Sequence, residues 1–234
     1  MSGAVRTGGT NAREGWITGR DGVAYPPEPW HLQADFGITL FLVPQDELPP
    51  EVQAHMPQGA RLLRFGRHVI VGAAAVRYGG DSALTYDEIL IAVPVWHRGG
   101  LRVSIFQIWV DSPESRTGGR ELWGIPKHLM TARRRARAGR LEVTYADAAG
   151  RRLAELSAEA STRLPGRWPL PLPTAQRLVD IGLDDRISRN RLRAGIHAVR
   201  ADWRFGGDLA WLAGARQLLS LGLSRADITF GEGT

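Results

Sequence analysis

Of the 30 basic residues in this chain, 29 are arginines and one, Lys127, is a lysine. Arginine stays protonated in proteins, whereas a lysine amine that is buried or set beside another cation can lose its proton and act as a nucleophile or base. A general drift toward arginine would have removed a lysine that only carried charge, so Lys127 reads as an amine kept for its chemistry. Chance survival is the competing explanation. The surrounding run is Gly119-Arg120-Glu121-Leu122-Trp123-Gly124-Ile125-Pro126-Lys127-His128-Leu129, which places the amine among apolar groups on a loop constrained by glycine and proline. With an ordinary pKa of about 10.4 the amine would be almost wholly protonated at neutral pH, so nucleophilicity requires that dry surroundings or a nearby cation lower it. His128 adds such a charge only when protonated, and otherwise points away as a structural group.

A second candidate is Glu88, in Tyr86-Asp87-Glu88-Ile89-Leu90. It falls within an apolar strand-like run, where an unpaired carboxylate is costly, so it serves either as a pocket acid or base or as a structural ion-pair partner. Tyr86 and Trp123 line a pocket or fill ordinary core. Arg120, with Glu121, shapes the site and meets substrate, or the two form a pair that only holds the loop. The chain has no cysteine, which removes disulfides, thiolate catalysis and Cys-ligated metals. Histidines 31, 55, 68, 97, 128 and 197 lack the close pairing of a typical metal site, and no G-x-S-x-G, H-E-x-x-H, Walker or G-x-G-x-x-G pattern occurs. Neither a metal nor an organic cofactor is expected.

These residues must be positioned by a single large domain of β-rich character. Hydrophobic residues make up 43% of 234, enough for a buried core at this length. Residues 1–24, rich in Gly, Arg and Thr, read as a flexible arm, and 25–234 as one domain. Strands are predicted at 36–43, 69–78, 88–96, 101–110, 129–137, 140–146, 151–160, 194–205 and 226–230. Short helices are predicted from Asp46 to about Met56 and from Ser112-Pro113 into Gly118-Gly119, with 208–221 partly helical and 164–173 an irregular crossing. The fold class is β-rich α+β, mainly antiparallel. The formal charge of +6 raises nucleic-acid binding, but the cluster Arg133, Arg134, Arg135, Arg137 and Arg140 alternates with small residues like a polar edge strand or subunit contact, and no nucleic-acid motif accompanies it. No run approaches the roughly 20 apolar residues of a membrane span, and the first residues lack the apolar core of a signal peptide, so a cytoplasmic protein without a membrane or nucleic-acid partner is expected.

The segment from Gly119 to Leu129 resembles the G-R-E-x-x-G-x-P-K-x-L segment of the acetoacetate decarboxylase superfamily, in which the lysine after the proline forms a Schiff base. Tyr86-Asp87-Glu88 is similar to the family's Tyr-x-Glu strand, which brings a carboxylate to the same pocket. Asp227-Ile228-Thr229-Phe230-Gly231 is like its closing strand. With Pro26-Pro27-Glu28-Pro29-Trp30-His31, the resemblance covers about residue 25 to the end. It implies a barrel-like or cone-like body around a buried cavity, usually assembled as a homo-oligomer. It also implies Schiff-base chemistry on a keto acid or related carbonyl compound, by decarboxylation or by dehydration or aldol-type steps, with Lys127 as nucleophile and Glu88 as acid or base. The substrate-binding set is then Tyr86, Trp123, His128, Gln33 and Arg120. A non-catalytic ligand-binding or accessory protein with the same cavity is the alternative. The departures bear on substrate: the family's second lysine is His128 here, and in an ungapped reading a pocket arginine falls at Gln33 and a pocket glutamate at Ala73.

Overall fold

The computed structural model describes residues 14–178 and 183–232. Strand follows strand: β1 (Ile17–Thr18), β2 (Ala24–Tyr25) and β3 (Trp30–Pro44) lead, through a 3-10 turn (Gln45–Glu47) and α1 (Glu51–His55), to β4 (Arg61–Leu62), β5 (Arg64–Phe65), β6 (His68–Gly79), β7 (Tyr86–His97) and β8 (Gly100–Val110). Then come α2 (Pro113–Trp123), β9 (Lys127–Arg137), β10 (Arg140–Asp147), β11 (Arg152–Arg163), β12 (Trp168–Pro171), β13 (Thr174–Leu178), β14 (Leu183–Phe205), a 3-10 turn (Gly207–Leu212) and β15 (Arg216–Glu232).

Pairing around β7-β6-β3-β15-β14-β13-β8 returns to β7, so seven strands close into a ring. A second ring, β8-β9-β10-β11-β14-β13, shares three strands with the first. Pairing is antiparallel except at β8–β9 and β8–β13, the latter a single register pair, Thr174 with Val103. The Gln176 side chain reinforces that thin joint by accepting from the Ile105 amide and donating to the Ile105 carbonyl, each at 2.6 Å.

Strand alternation divides β6 and β7 between two interiors. Val69, Val71, Ala73, Ile89, Ile91, Val93 and Val95 pack toward Tyr145, Leu153 and Leu156 of the second ring. Tyr78, Tyr86, Ala74 and Ala92 face the first ring, with Trp30, Leu32, Ile108, Trp123 and Ile125. Burial on both faces is why these stretches are almost continuously apolar in sequence. Among the described residues no helix is long and apolar enough to cross a membrane.

Several elements differ from the sequence expectation. Residues 17–25, read as part of an arm and the start of the domain, form a hairpin docked on α2, where Asp21 accepts from Thr117 at 2.6 Å and Glu121 accepts from the Arg20 amide and the Tyr25 hydroxyl. Residues 1–13 lie outside the described residues. Residues 168–171 of the expected irregular crossing pair with β14. The helical reading of 208–221 holds only to Leu212, because from Arg216 the chain is held between β14 and β3, and that pairing overrides local propensity. The arginine-rich strand β9 pairs with β10 over Met130–Arg137 and with β8 only at Lys127–Leu129, and Arg134 reaches Asp87 at 2.6 Å.

Candidate active site

Lys127 is the first residue of β9 rather than part of a loop, and the end of α2 sets its position. Ser112 caps α2 by accepting from the Ser115 amide at 3.0 Å, and Pro113 supplies the first turn. The helix runs through Gly118-Gly119 to Trp123, not into a break at the glycines. It stops at Gly124, whose left-handed φ of 65° suits glycine, and the amides of Gly124 and Ile125 return to the carbonyls of Arg120 and Gly119. This reversal lays the lysine stem back along α2. A Cβ on Gly119 would lie 2.7 Å from Lys127 Cδ and 2.8 Å from Cε, and one on Gly118 would lie 2.6 Å from Trp30. The glycine pair thus makes room for the lysine and for Trp30.

The Lys127 ammonium donates to Glu88 Oε2 at 2.9 Å, to Ser115 Oγ at 2.9 Å and to the Tyr86 hydroxyl at 3.4 Å. It also lies 5.1 Å from the centroid of the Tyr86 ring, within cation–π range. The second Glu88 oxygen accepts from the Tyr78 hydroxyl at 3.1 Å, and Tyr78 stacks on Tyr86 with centroids 4.3 Å apart. Lys127 and Glu88 are 4% and 2% exposed, so this is a fully buried ion pair. Burial alone would lower the lysine pKa, but the Glu88 carboxylate, Tyr86 and their hydrogen bonds outweigh it, and the net direction is upward. The depressed amine expected from sequence is therefore not the resting state. Burial also pushes Tyr86 up to about 12, so it stays a phenol.

The pair sits in a cavity of about 480 Å³ enclosed by β3, β6, β7, β8 and α2. Trp123, buried, lines it, 4.8 Å from Trp30 and 4.6 Å from Phe230 between ring centroids, with its indole N–H donating to Glu28. Arg186 holds Glu28 from the other side at 2.7 Å.

The structure brings together Lys127, Glu88, Tyr86 and Trp123. It does not bring in the other three expected residues. His128 alternates to the opposite face of β9, exposed and 5.9 Å from Trp109. Arg120 is half-buried outside the cavity lining, where its charge adds to the partial desolvation that lowers the His128 pKa. Gln33 is exposed because its neighbour Leu32 takes the inward position on β3, and its backbone N–H donates to the Ser82 hydroxyl. Ala73 faces the second ring, and the cavity-facing positions that flank it on β6 are Gly72 and Ala74, neither of which carries charge. Sequence reasoning missed Ser115 and Tyr78. The Ser112-Pro113 cap signal located the helix turn that carries Ser115, and the period of two from Gly72 to Tyr78 marks the inward face.

Residues 47–173 match the family profile described as acetoacetate decarboxylase (ADC). No curated protein matches the sequence significantly. Among solved structures, the acetoacetate decarboxylase of Legionella pneumophila is similar at 19% identity and a TM-score of 0.66, over 88% of this chain and 86% of that one. MppR, an enduracididine biosynthesis enzyme solved with pyruvate, is similar at 16% identity and 0.62, over 88% and 89%. An acetoacetate decarboxylase-like enzyme of Sphingomonas wittichii RW1 matches at 18% and 0.59, over 91% and 95%. These likenesses carry the fold, and the profile match, which spans more than half the chain and contains both members of the buried lysine–glutamate pair, places this chain in the acetoacetate decarboxylase family.

Proposed function

We propose that this chain is a Schiff-base enzyme acting on a keto acid or related carbonyl compound, with Lys127 as nucleophile and Glu88 as acid and base. The observation that carries the reading is the one lysine of the chain buried in the lining of an apolar cavity, its Nζ 2.9 Å from a buried carboxylate. A carbonyl entering between them reduces the stabilisation of the charged pair, and Glu88 takes a proton from the ammonium. The neutral amine adds to the carbonyl carbon to give a carbinolamine. Protonated Glu88 returns its proton to the hydroxyl, which leaves as water, and an iminium remains. The iminium then accepts the electron pair of a neighbouring bond: C–COO⁻ in decarboxylation, or C–H or C–C in dehydration or aldol-type chemistry. Ser115 and Tyr86 fix the direction of Nζ, and the Tyr86 phenol is a donor for the carbinolamine oxygen. The scheme needs neither a metal nor an organic cofactor.

Homo-oligomer assembly belongs to the same reading, supported by the exposed Trp96, Leu218 and Leu219. Light scattering that reports a 25.7 kDa particle at micromolar concentration would count against it. The raised lysine pKa favours one rival, a carbonyl-free ligand-binding protein with the same cavity. Turnover or α-proton exchange of a ketone that is lost in Lys127→Arg supports the enzyme; binding without either supports the rival.

A further inference from the structure

The cavity continues well past the reacting pair, and its wall changes character there. Along β7 the inward positions after Glu88 are Leu90, Ala92 and Pro94, and the strand pairing sets Ile108, Ile105 and Val103 of β8 beside them. Across β6 and β3 the same rows carry Ala74 and Ile38, then Gly72 and Leu40. From Glu88 to Pro94 is six residues, so this sleeve is roughly 20 Å long at strand rise. It ends near Leu101, which lines the cavity and is 51% exposed, against 2% for Glu88. Among the described residues lining the cavity, Lys127 is the only cation and Glu88 the only anion.

We propose that the substrate is a neutral ketone or aldehyde carrying a long apolar chain, with its carbonyl at Lys127 and its chain in the sleeve. This rests on the Schiff-base reading and narrows it. Charge counting supports the choice: a neutral carbonyl gives one iminium beside one carboxylate, a balanced buried pair. A keto acid adds a second anion for which the cavity holds no second cation, and burying an unpaired carboxylate is costly. The small side chains Gly72, Ala74 and Ala92 leave the width for a chain. The covalent step is balanced within this site: the amine adds, water leaves, Glu88 removes the α-proton of the iminium to form the enamine, and it returns a proton to the same carbon.

The test uses the whole 234-residue chain with acetone, 2-heptanone and 2-undecanone, and with pyruvate and acetoacetate. Its readouts are borohydride-trapped adduct at Lys127 and deuterium exchange at the α-carbon in D2O. The half-saturating concentration should fall roughly 4-fold per methylene until the chain leaves the sleeve, the equivalent of about 0.8 kcal/mol each. The two acids should require at least about 10-fold more than acetone. Ala92→Leu should bring 2-undecanone back toward acetone; if that variant does not fold, the homologue series on the unaltered protein still decides. Adducts with no chain-length dependence, or acids that match acetone, overturn the proposal and leave the Schiff-base reading standing. If no carbonyl traps but 2-undecanone displaces the neutral dye Nile red, the apolar sleeve stands and the Schiff-base reading falls.

Discussion

Gly119→Ala is the substitution on which local propensity and the site disagree most. In an α-helix interior the change alone should stabilise the protein by about 1 kcal/mol, since alanine is the better helix former. Here the new Cβ would lie 2.7 Å from Lys127 Cδ, whereas carbon atoms pack at about 3.5 Å or more. The stem must therefore retreat by roughly 0.8 Å, and Nζ is tied at 2.9 Å to both Glu88 and Ser115. A displacement of that size at a reacting atom costs on the order of 100-fold in rate. The expected outcome is a folded protein whose Tm is within a few degrees of the original and whose α-proton exchange rate has fallen about 100-fold. A rate within a factor of two or so of the original, with the helix intact by circular dichroism, would refute the claim that Gly119 exists to seat the lysine.

Glu88→Gln removes the strongest influence holding the lysine pKa up and leaves burial to lower it, so adduct formation should extend to lower pH while turnover slows by about 100-fold. A trapping profile that shifts to higher pH would contradict this. Ser115→Ala takes away one of three partners of Nζ and should slow exchange by roughly 10-fold with little change in Tm, measured by kinetics and calorimetry. Partial desolvation first, and Arg120 second, lower the His128 pKa below 6.5. A base lowered in the fold contributes its stability above its unfolded pKa and loses it as pH falls through the folded value. Thermal scans should therefore show Tm declining below pH 6.5, and less steeply in His128→Gln; identical slopes in the two proteins would disprove this.

The buried Lys127–Glu88 pair was legible because its signals are local. A single lysine after a glycine and a proline, and a carboxylate inside an apolar run, each stand out within a few residues, and alternation then sets Tyr86 and Glu88 on one face with Asp87 on the other. The rest depends on pairing across the ring. Gln33 and Ala73 were placed one residue out of phase with the inward faces of β3 and β6, and in a strand one residue reverses the face. The same period turns His128 away from Lys127. Gly118-Gly119 looked like a helix stop because the lysine stem and Trp30, which need the missing side chains, come from distant parts of the chain. The length of β14 was hidden by alternating arginines, with Arg191 and Arg193 outward and Leu192 and Ala194 inward.

The central claim is that Lys127 becomes covalently bonded to a carbonyl carbon. Because it is the only lysine in the chain, only the N-terminal amine offers a background primary amine. The protein should be reduced with borohydride in the presence of a ketone, digested with trypsin and mapped by mass spectrometry. The account predicts a ketone-dependent mass gain on the peptide spanning Lys127, with loss of cleavage after that residue, and neither adduct nor exchange in Lys127→Arg, whose guanidinium stays protonated. An adduct confined to the N-terminus, or turnover of the ketone unchanged in Lys127→Arg, would contradict it.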